Sequence, residues 1–332
     1  MKIGIVGHFG GNKKFVDGQT AKTKTIYSAL SEKYIITKLD TFNWKKHILQ
    51  MFKNTLSLIK KNDNVIIITA QKGLFVFIPM FVIYNIFFHK KLHYVVIGGW
   101  LKNKVAKNKI MIHFLKGLDG IYVENSRLKE DLISLGLNNV FVMKNFKIIK
   151  SVDKVKPLEQ KIKLCFFARV MKEKGIEDAI KCVEELKENV IFDIYGPIDI
   201  NYEDRFNALL KTLPENINYR GVIDFEKSTE ILKEYDILLF PTKFKTEGIP
   251  GTIIDAYASG LAIIASKWDN YSEIIDDGIT GIGFEINNYN DFKEKLIDLL
   301  NDENKIMLLK NNALKKFSNF STEEIKVLES RL

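Results

Sequence analysis

Glu247-Gly248-Ile249-Pro250-Gly251-Thr252-Ile253-Ile254-Asp255-Ala256 sets an acid, a turn of small residues, the start of a helix and a second acid in close succession. Pro250 suits the first turn of a helix, where its missing N–H is not needed. The amides of Gly251 and Thr252 then point out of the helix N-terminus, where the dipole favours a phosphate. Gly248 and Ile249 line the turn, and Glu247 before it is placed to accept hydrogen bonds from sugar hydroxyls. Asp255, one to two turns inside the helix, is placed to accept a pair of ribose hydroxyls. Together these residues make a cradle for a sugar nucleotide. The plain alternative is an ordinary loop ahead of a helix, and the surrounding sequence decides between the two.

Outward from this stretch, apolar runs of strand length alternate with helical patterns. In the first half the runs are Ile3–Val6, Tyr34–Leu39, Val65–Thr69, Tyr94–Ile97, Ile121–Val123 and Val140–Met143. In the second half they are Ile162–Ala168, Val190–Tyr195, Ile217–Tyr219, Ile237–Phe240 and Ala262–Ala265. Helical patterns such as Gln19–Leu30 and Ser126–Leu135 fill the gaps, which predicts an α/β architecture with parallel sheets. The lysine-rich stretch Phe146–Lys161, with Pro157 and no apolar period, predicts a join between two doubly wound domains, 1–150 and 151–332. The last helix is expected to pack back on the first domain. A ligand in such a fold belongs at the C-terminal ends of the strands, here in a cleft between the domains.

The 332 residues are 46% hydrophobic and 27% charged, enough for two domains with cores of their own. Two cysteines, Cys165 and Cys182, make no disulfide framework, and their spacing suits no metal site. Met1–Gly7 reads as a first strand with no signal peptide before it, so a reducing cytoplasm is expected. The charge is uneven. Residues 1–150 carry 25 Lys and Arg against 8 Asp and Glu, a net +17, whereas residues 151–332 carry 25 against 33, a net −8. A basic half attracts polyanions. No helix-turn-helix, zinc finger or aromatic strand motif points to nucleic acid, so an anionic membrane surface is the expected partner.

A second candidate site follows the first strand. His8 leads into Gly10-Gly11-Asn12, and then comes Asp17-Gly18-Gln19-Thr20-Ala21-Lys22. Gly18 allows close backbone approach, and the amides of Gln19 and Thr20 would open a helix beside the donor phosphates. The spacing matches neither a Walker loop nor a G-x-G-x-x-G fingerprint, which disfavours a kinase or an NAD enzyme. The segment Leu74–Phe88 is apolar nearly all round and holds Pro79. It reads either as a helix packed deep in a core or as one resting on a membrane with a collar of lysines. His113, alone on a lysine-rich helical stretch, reads as structural or solvated. No Asp-x-Asp occurs, so no metal-diphosphate clamp is expected and no metal is assigned. Arg169 and Lys174 would supply that positive charge.

Glu247 through Asp255, followed by Ala256-Tyr257-Ala258-Ser259-Gly260 and the strand Ala262–Ala265, resembles the signature of the retaining glycosyltransferases of family 4, which have the GT-B fold. The Phe167-Ala168-Arg169-Val170-Met171-Lys172-Glu173-Lys174-Gly175 stretch resembles that family's Arg–Lys-Gly element. Tyr195-Gly196-Pro197 and Tyr219-Arg220-Gly221 stand where its two intervening strand ends fall. The glycine loop resembles a variant among bacterial surface-polysaccharide transferases. One departure is the second acid, Asp255, a methylene shorter than the family's Glu. The resemblance implies two Rossmann-like domains and transfer from a nucleotide sugar, a UDP-sugar ahead of a GDP-sugar, with no cofactor. Glu247, Arg169 and Lys174 are then the catalytic residues. Donor contacts come from Gly18, Gln19, Thr20, Gly196, Arg220, Gly248, Ile249, Pro250, Gly251, Thr252 and Asp255. His8, Gly99 and Trp100 are acceptor-side candidates, Gly98-Gly99-Trp100 lying where the family often has a catalytic His. The implied acceptor is a glycan or polyprenyl-diphosphate-linked sugar of capsule or lipopolysaccharide synthesis, on the inner face of the cell membrane. The rivals are a nucleotide-sugar epimerase of the same fold and a catalytically silent, membrane-associated nucleotide-binding scaffold subunit.

Overall fold

The computed structural model describes residues 1–11, 18–186, 190–224 and 227–332. Two compact units result, Met1–Ile148 with Thr322–Leu332, and Ile149–Ser321. Thr322–Leu332, at the end of the range 151–332, belongs to unit 1, the domain on which the last helix was expected to pack.

Unit 1 is a parallel sheet of β1 (Lys2–Gly7), β2 (Ile35–Asp40), β3 (Asn64–Ile68), β4 (Lys91–Val95), β5 (Gly120–Val123) and β6 (Val140–Val142), in the order β2-β1-β3-β4-β5-β6. All five residues of β3 are buried, as both faces of the sheet are covered. Its helices are α1 (Gly18–Ser31), α2 (Ile48–Lys61), α3 (Gln71–Phe88), α4 (Leu101–Val105), α5 (Lys109–Lys116) and α6 (Ser126–Ser134). The helices α2 to α6 pack one face through Met51, Phe77, Phe81, Leu101, Leu115 and Leu132. On the other face lie Ile26 and Leu30 of α1 and Leu328 of the C-terminal helix Lys326–Glu329. That helix is tied down by Lys33 Nζ to Glu329 Oε1 at 3.1 Å and by the Arg331 guanidinium 3.7 Å over the Phe141 ring.

The apolar helix α3 divides its two faces. Leu74, Phe77, Ile78 and Phe81 are fully buried, whereas Phe75, Ile83, Ile86 and Phe87 are exposed. Neither sequence reading alone describes it: one face is core and the other is not.

Unit 2 repeats the architecture with β7 (Ile162–Phe167), β8 (Val190–Tyr195), β9 (Ile217–Gly221), β10 (Ile237–Phe240), β11 (Ala262–Ser266) and β12 (Ile282–Phe284), in the order β12-β11-β10-β7-β8-β9. Its helices are α7 (Ile176–Leu186), α8 (Glu203–Leu210), α9 (Ser228–Leu232), α10 (Gly251–Ser259), α11 (Tyr289–Leu300) and α12 (Glu303–Lys316). Ile180, Phe206, Leu296 and Leu309 bring α7, α8, α11 and α12 onto one face. Leu232, Ile253 and Tyr257 bring α9 and α10 onto the other. The strand order reverses at β7, which has β10 on one side and β8 on the other. The C-terminal ends of β7 and β10 are therefore the topological switch point of the sheet, the place where such sheets hold ligands.

Candidate functional site

At this switch point in unit 2 two glycines allow the loops to pack together. Gly196 has φ 139°, and a Cβ there would collide with the Ala168 carbonyl. Gly175 has φ 76°, and a Cβ there would collide with the Pro241 carbonyl. A side chain at either position would push β8 or β10 away from the loop that follows β7.

Packed this closely, the loops bring Lys174 and Glu247 into an ion pair, with both side chains mostly buried. Thr242 Oγ1 donates to Glu247 Oε1 at 2.9 Å, and Asn270 Nδ2 donates to the Glu247 carbonyl at 2.9 Å. The ammonium of Lys174 also lies 5.5 Å from the Phe240 ring centroid and 5.2 Å from that of Phe244. The acid and the cation are thus fixed in advance.

The start of α10 is one residue later than the sequence suggested. Pro250 is the N-cap, with ψ 127° in the extended region, and the helix begins at Gly251. Because Pro250 has no side-chain acceptor, it caps none of the first-turn amides. Thr252 turns its hydroxyl to the Phe167 carbonyl at 2.6 Å, which ties the helix start to the end of β7. Gly248 and Ile249 form the turn before it, Ile249 buried and Gly248 buried beside it.

Arg169 stands half exposed after β7, its Nη1 3.7 Å from Asp199 Oδ2. Arg220, at the end of β9, pairs its Nε with Asp193 Oδ1 at 3.1 Å. Tyr235 donates to Asp193 Oδ2 at 2.6 Å and lies 2.7 Å from the Tyr195 hydroxyl. Burial, followed by the bonds to Asp193 and Tyr195, pushes the Tyr235 phenol well up, so it stays protonated. Tyr195 and Tyr235 line a cavity of 420 Å³ with Lys227, Ile231 and Glu234. Asp255 is 1% exposed, and its Oδ1 accepts from Ser228 Oγ at 2.8 Å. The shorter acid is thus turned into the packing between α10 and α9, where the sequence reading had it reaching ribose.

The candidates of unit 1 cluster at the C-terminal ends of its own strands. His8 Nδ1 lies 2.7 Å from Thr20 Oγ1. Gly18 and Gln19 open α1, and Gly18 has open space around its Cα. Asn12 and Asp17 of the same loop lie outside the described residues. Asp40, at the end of β2, accepts from the amides of Phe9, Gly11 and Phe42 at 2.8–2.9 Å. Lys22 is buried in an ion pair with Glu124 at the end of β5. Gly98 has φ 77° and Gly99 follows it at the end of the β4 strand. The indole N–H of Trp100 donates back to the Ile97 carbonyl, and its ring packs against the core. His113 is on the exposed side of α5.

The family model for glycosyl transferases group 1 matches residues 148–316. The chain belongs to that family. An uncharacterized glycosyltransferase of Methanocaldococcus jannaschii is 30% identical over 232 residues, which are 68% of this chain and 53% of that protein. The N,N'-diacetylbacillosaminyl-diphospho-undecaprenol alpha-1,3-N-acetylgalactosaminyltransferase of Campylobacter jejuni is 29% identical over 216 residues, 65% of this chain and 50% of that one. The chain spans about half the length of these curated relatives. The crystal structure of Anabaena HepE in complex with UDP-glucose superposes with a TM-score of 0.78 over 99% of both chains, at 14% identity. At that identity the likeness is one of fold, and the fold is GT-B.

Within this member of the family, several candidate site residues were not legible in the sequence. Asp193, Tyr235 and Asp40 act through partners 42, 40 and 31 positions away. Asn270 is a further one: its Oδ1 is buried with no hydrogen-bond partner among the described residues, next to Glu247.

Proposed function

We propose that this chain transfers a sugar from a nucleotide-sugar donor, a UDP-sugar first, to a hydroxyl of a glycan or lipid-linked acceptor, with retention at the anomeric carbon. The observation that carries this is the Lys174–Glu247 pair, fixed at the switch point of unit 2 beside the uncapped N-terminus of α10. A diphosphate at that helix start meets the amides of Gly251 and Thr252, with Arg169 and Lys174 as nearby cations. As the bond from the sugar C1 to the phosphate oxygen breaks, charge gathers on the diphosphate, where these fixed groups stabilise it most. The acceptor oxygen forms the new bond to C1, and its proton passes to the leaving phosphate oxygen. Glu247 holds a sugar hydroxyl and orients the donor. With the chain's own cations doing the work of a metal, transfer proceeds in the presence of a chelator. The basic charge of unit 1 supports a place on the anionic inner face of a cell membrane, in the service of surface-glycan synthesis.

The test is purified protein with single nucleotide sugars, in EDTA, with and without membrane lipid extract. Transfer that needs the extract supports the reading. A sugar nucleotide changed to its epimer without extract supports the epimerase instead, and binding without turnover supports the scaffold.

A further inference from the structure

Three helices of unit 1 lie side by side over one face of its sheet, α2 against α3 and α3 against α5. Their inner sides fill the core. Their outer sides are also apolar: Leu49 on α2 is 77% exposed, Phe87 on α3 is 76% and Ile110 on α5 is 72%. Phe52 on α2 and Ile83 and Ile86 on α3 are exposed as well. On α3 the exposed residues Phe75, Ile83, Ile86 and Phe87 fall within about a third of the helix circumference at 100° per residue, so they form one stripe. Single exposed apolar residues are ordinary, but a stripe continued onto two neighbouring helices marks an interaction surface.

The charges around this stripe say what kind. The sequences of α2, α3 and α5 contain no Asp or Glu, while Lys53, Lys60, Lys61, Lys72, Lys109 and Lys116 are all basic and exposed. A second copy of the chain would bring the same positive rim against this one, and like charges at close range repel. An anionic bilayer offers both complements, acyl chains for the stripe and phosphate headgroups for the lysines. The helix α3 is long and apolar enough to cross a membrane by composition. Its inner side, however, is bound into the core through Leu74, Phe77, Ile78 and Phe81. It is therefore held against the sheet and is not free to span a bilayer.

We propose that the outer face of α2, α3 and α5 is a lipid-docking surface, entering the headgroup–acyl boundary of an anionic bilayer. The proposal rests on the membrane placement given above and extends it from charge attraction to insertion by named side chains.

The experiment is co-sedimentation of the full chain with vesicles of phosphatidylcholine alone and with an anionic phospholipid added. It is run at about 0.1 M and about 1 M salt, where screening lengths are roughly 10 Å and 3 Å. Wild-type protein is expected to bind the anionic vesicles at low salt and to keep a residue of binding at high salt. The triple variant Ile83→Ser, Ile86→Ser, Phe87→Ser replaces exposed residues only, so its melting temperature should match the wild type. It is expected to lose the high-salt residue at least about fivefold, while nucleotide-sugar turnover on a soluble acceptor is unchanged. Equal high-salt binding by variant and wild type overturns the proposal, as does absence of binding to any vesicle. A wild-type dimer in solution that this variant dissolves would assign the surface to a second copy and overturn it too. Vesicle binding without any sugar turnover would leave this surface standing and remove the transferase reading.

Discussion

Lys174 and Glu247 are 73 positions apart in sequence and joined in the fold. Both were legible as motif residues, but their pairing was not, because it depends on Gly175 lying against Pro241. Asp255 shows the reverse. Its spacing suggested a ribose contact, and in the structure it is buried and accepts from Ser228. Asp255→Ala is therefore expected to cost about 1–3 kcal/mol of stability, since Ser228 loses a buried acceptor. Nucleotide affinity should weaken along with it, read by thermal unfolding with and without UDP. A change in affinity at unaltered stability would return Asp255 to a direct ribose contact. Arg169 is half exposed, so Arg169→Ala should fold normally. It should lower turnover by about tenfold or more, because a charged hydrogen bond to the diphosphate strengthens as that bond breaks. Normal turnover in a folded variant would remove Arg169 from the site.

At the scale of elements, most strands could be read from their apolar runs, and the exceptions have physical causes. The sequence placed a strand at Tyr94–Ile97, whereas β4 runs Lys91–Val95. Lys91 and His93 broke the apolar run, yet His93 is fully buried. Its ring lies between the Tyr122 hydroxyl at 3.1 Å and Asn64 Oδ1 at 3.4 Å. The strand β12, Ile282-Gly283-Phe284, did not stand out because a glycine divides its two apolar residues and leaves no run. In α3 uniform apolarity hid which side was core, because periodicity carries no information where every position is apolar. Burial of His93 pushes its pKa down from 6.5 to about 4. Folding thus favours the neutral ring: its contribution is whole above the unfolded pKa of about 6.5 and is lost as pH falls towards 4, up to about 3 kcal/mol. Urea unfolding at pH 7 and pH 4.5 should show wild type losing more stability than His93→Gln. Equal losses would show that His93 is charged in the folded state.

Across the whole molecule, the sequence reading and the structure both have two parallel α/β units, and Thr322–Leu332, whose helix was expected on the first domain, belongs to unit 1. Its place in unit 1 rests on long-range contacts such as Lys91 Nζ to the Leu332 carbonyl at 2.8 Å. The division of charge follows the division of the chain, with the basic excess in residues 1–150 and the family signature in unit 2. Both units place their candidate residues at the C-terminal ends of their strands, as doubly wound sheets do. The proposed transfer depends on the fixed acid and cation of unit 2. Transfer of labelled sugar from a UDP-sugar to lipid-extract acceptor, compared among wild type, Lys174→Ala and Glu247→Gln, tests it most directly. We predict transfer by the wild type and a loss of about tenfold or more in each variant, with melting temperatures showing both folded. Wild-type rates in the two folded variants would contradict it.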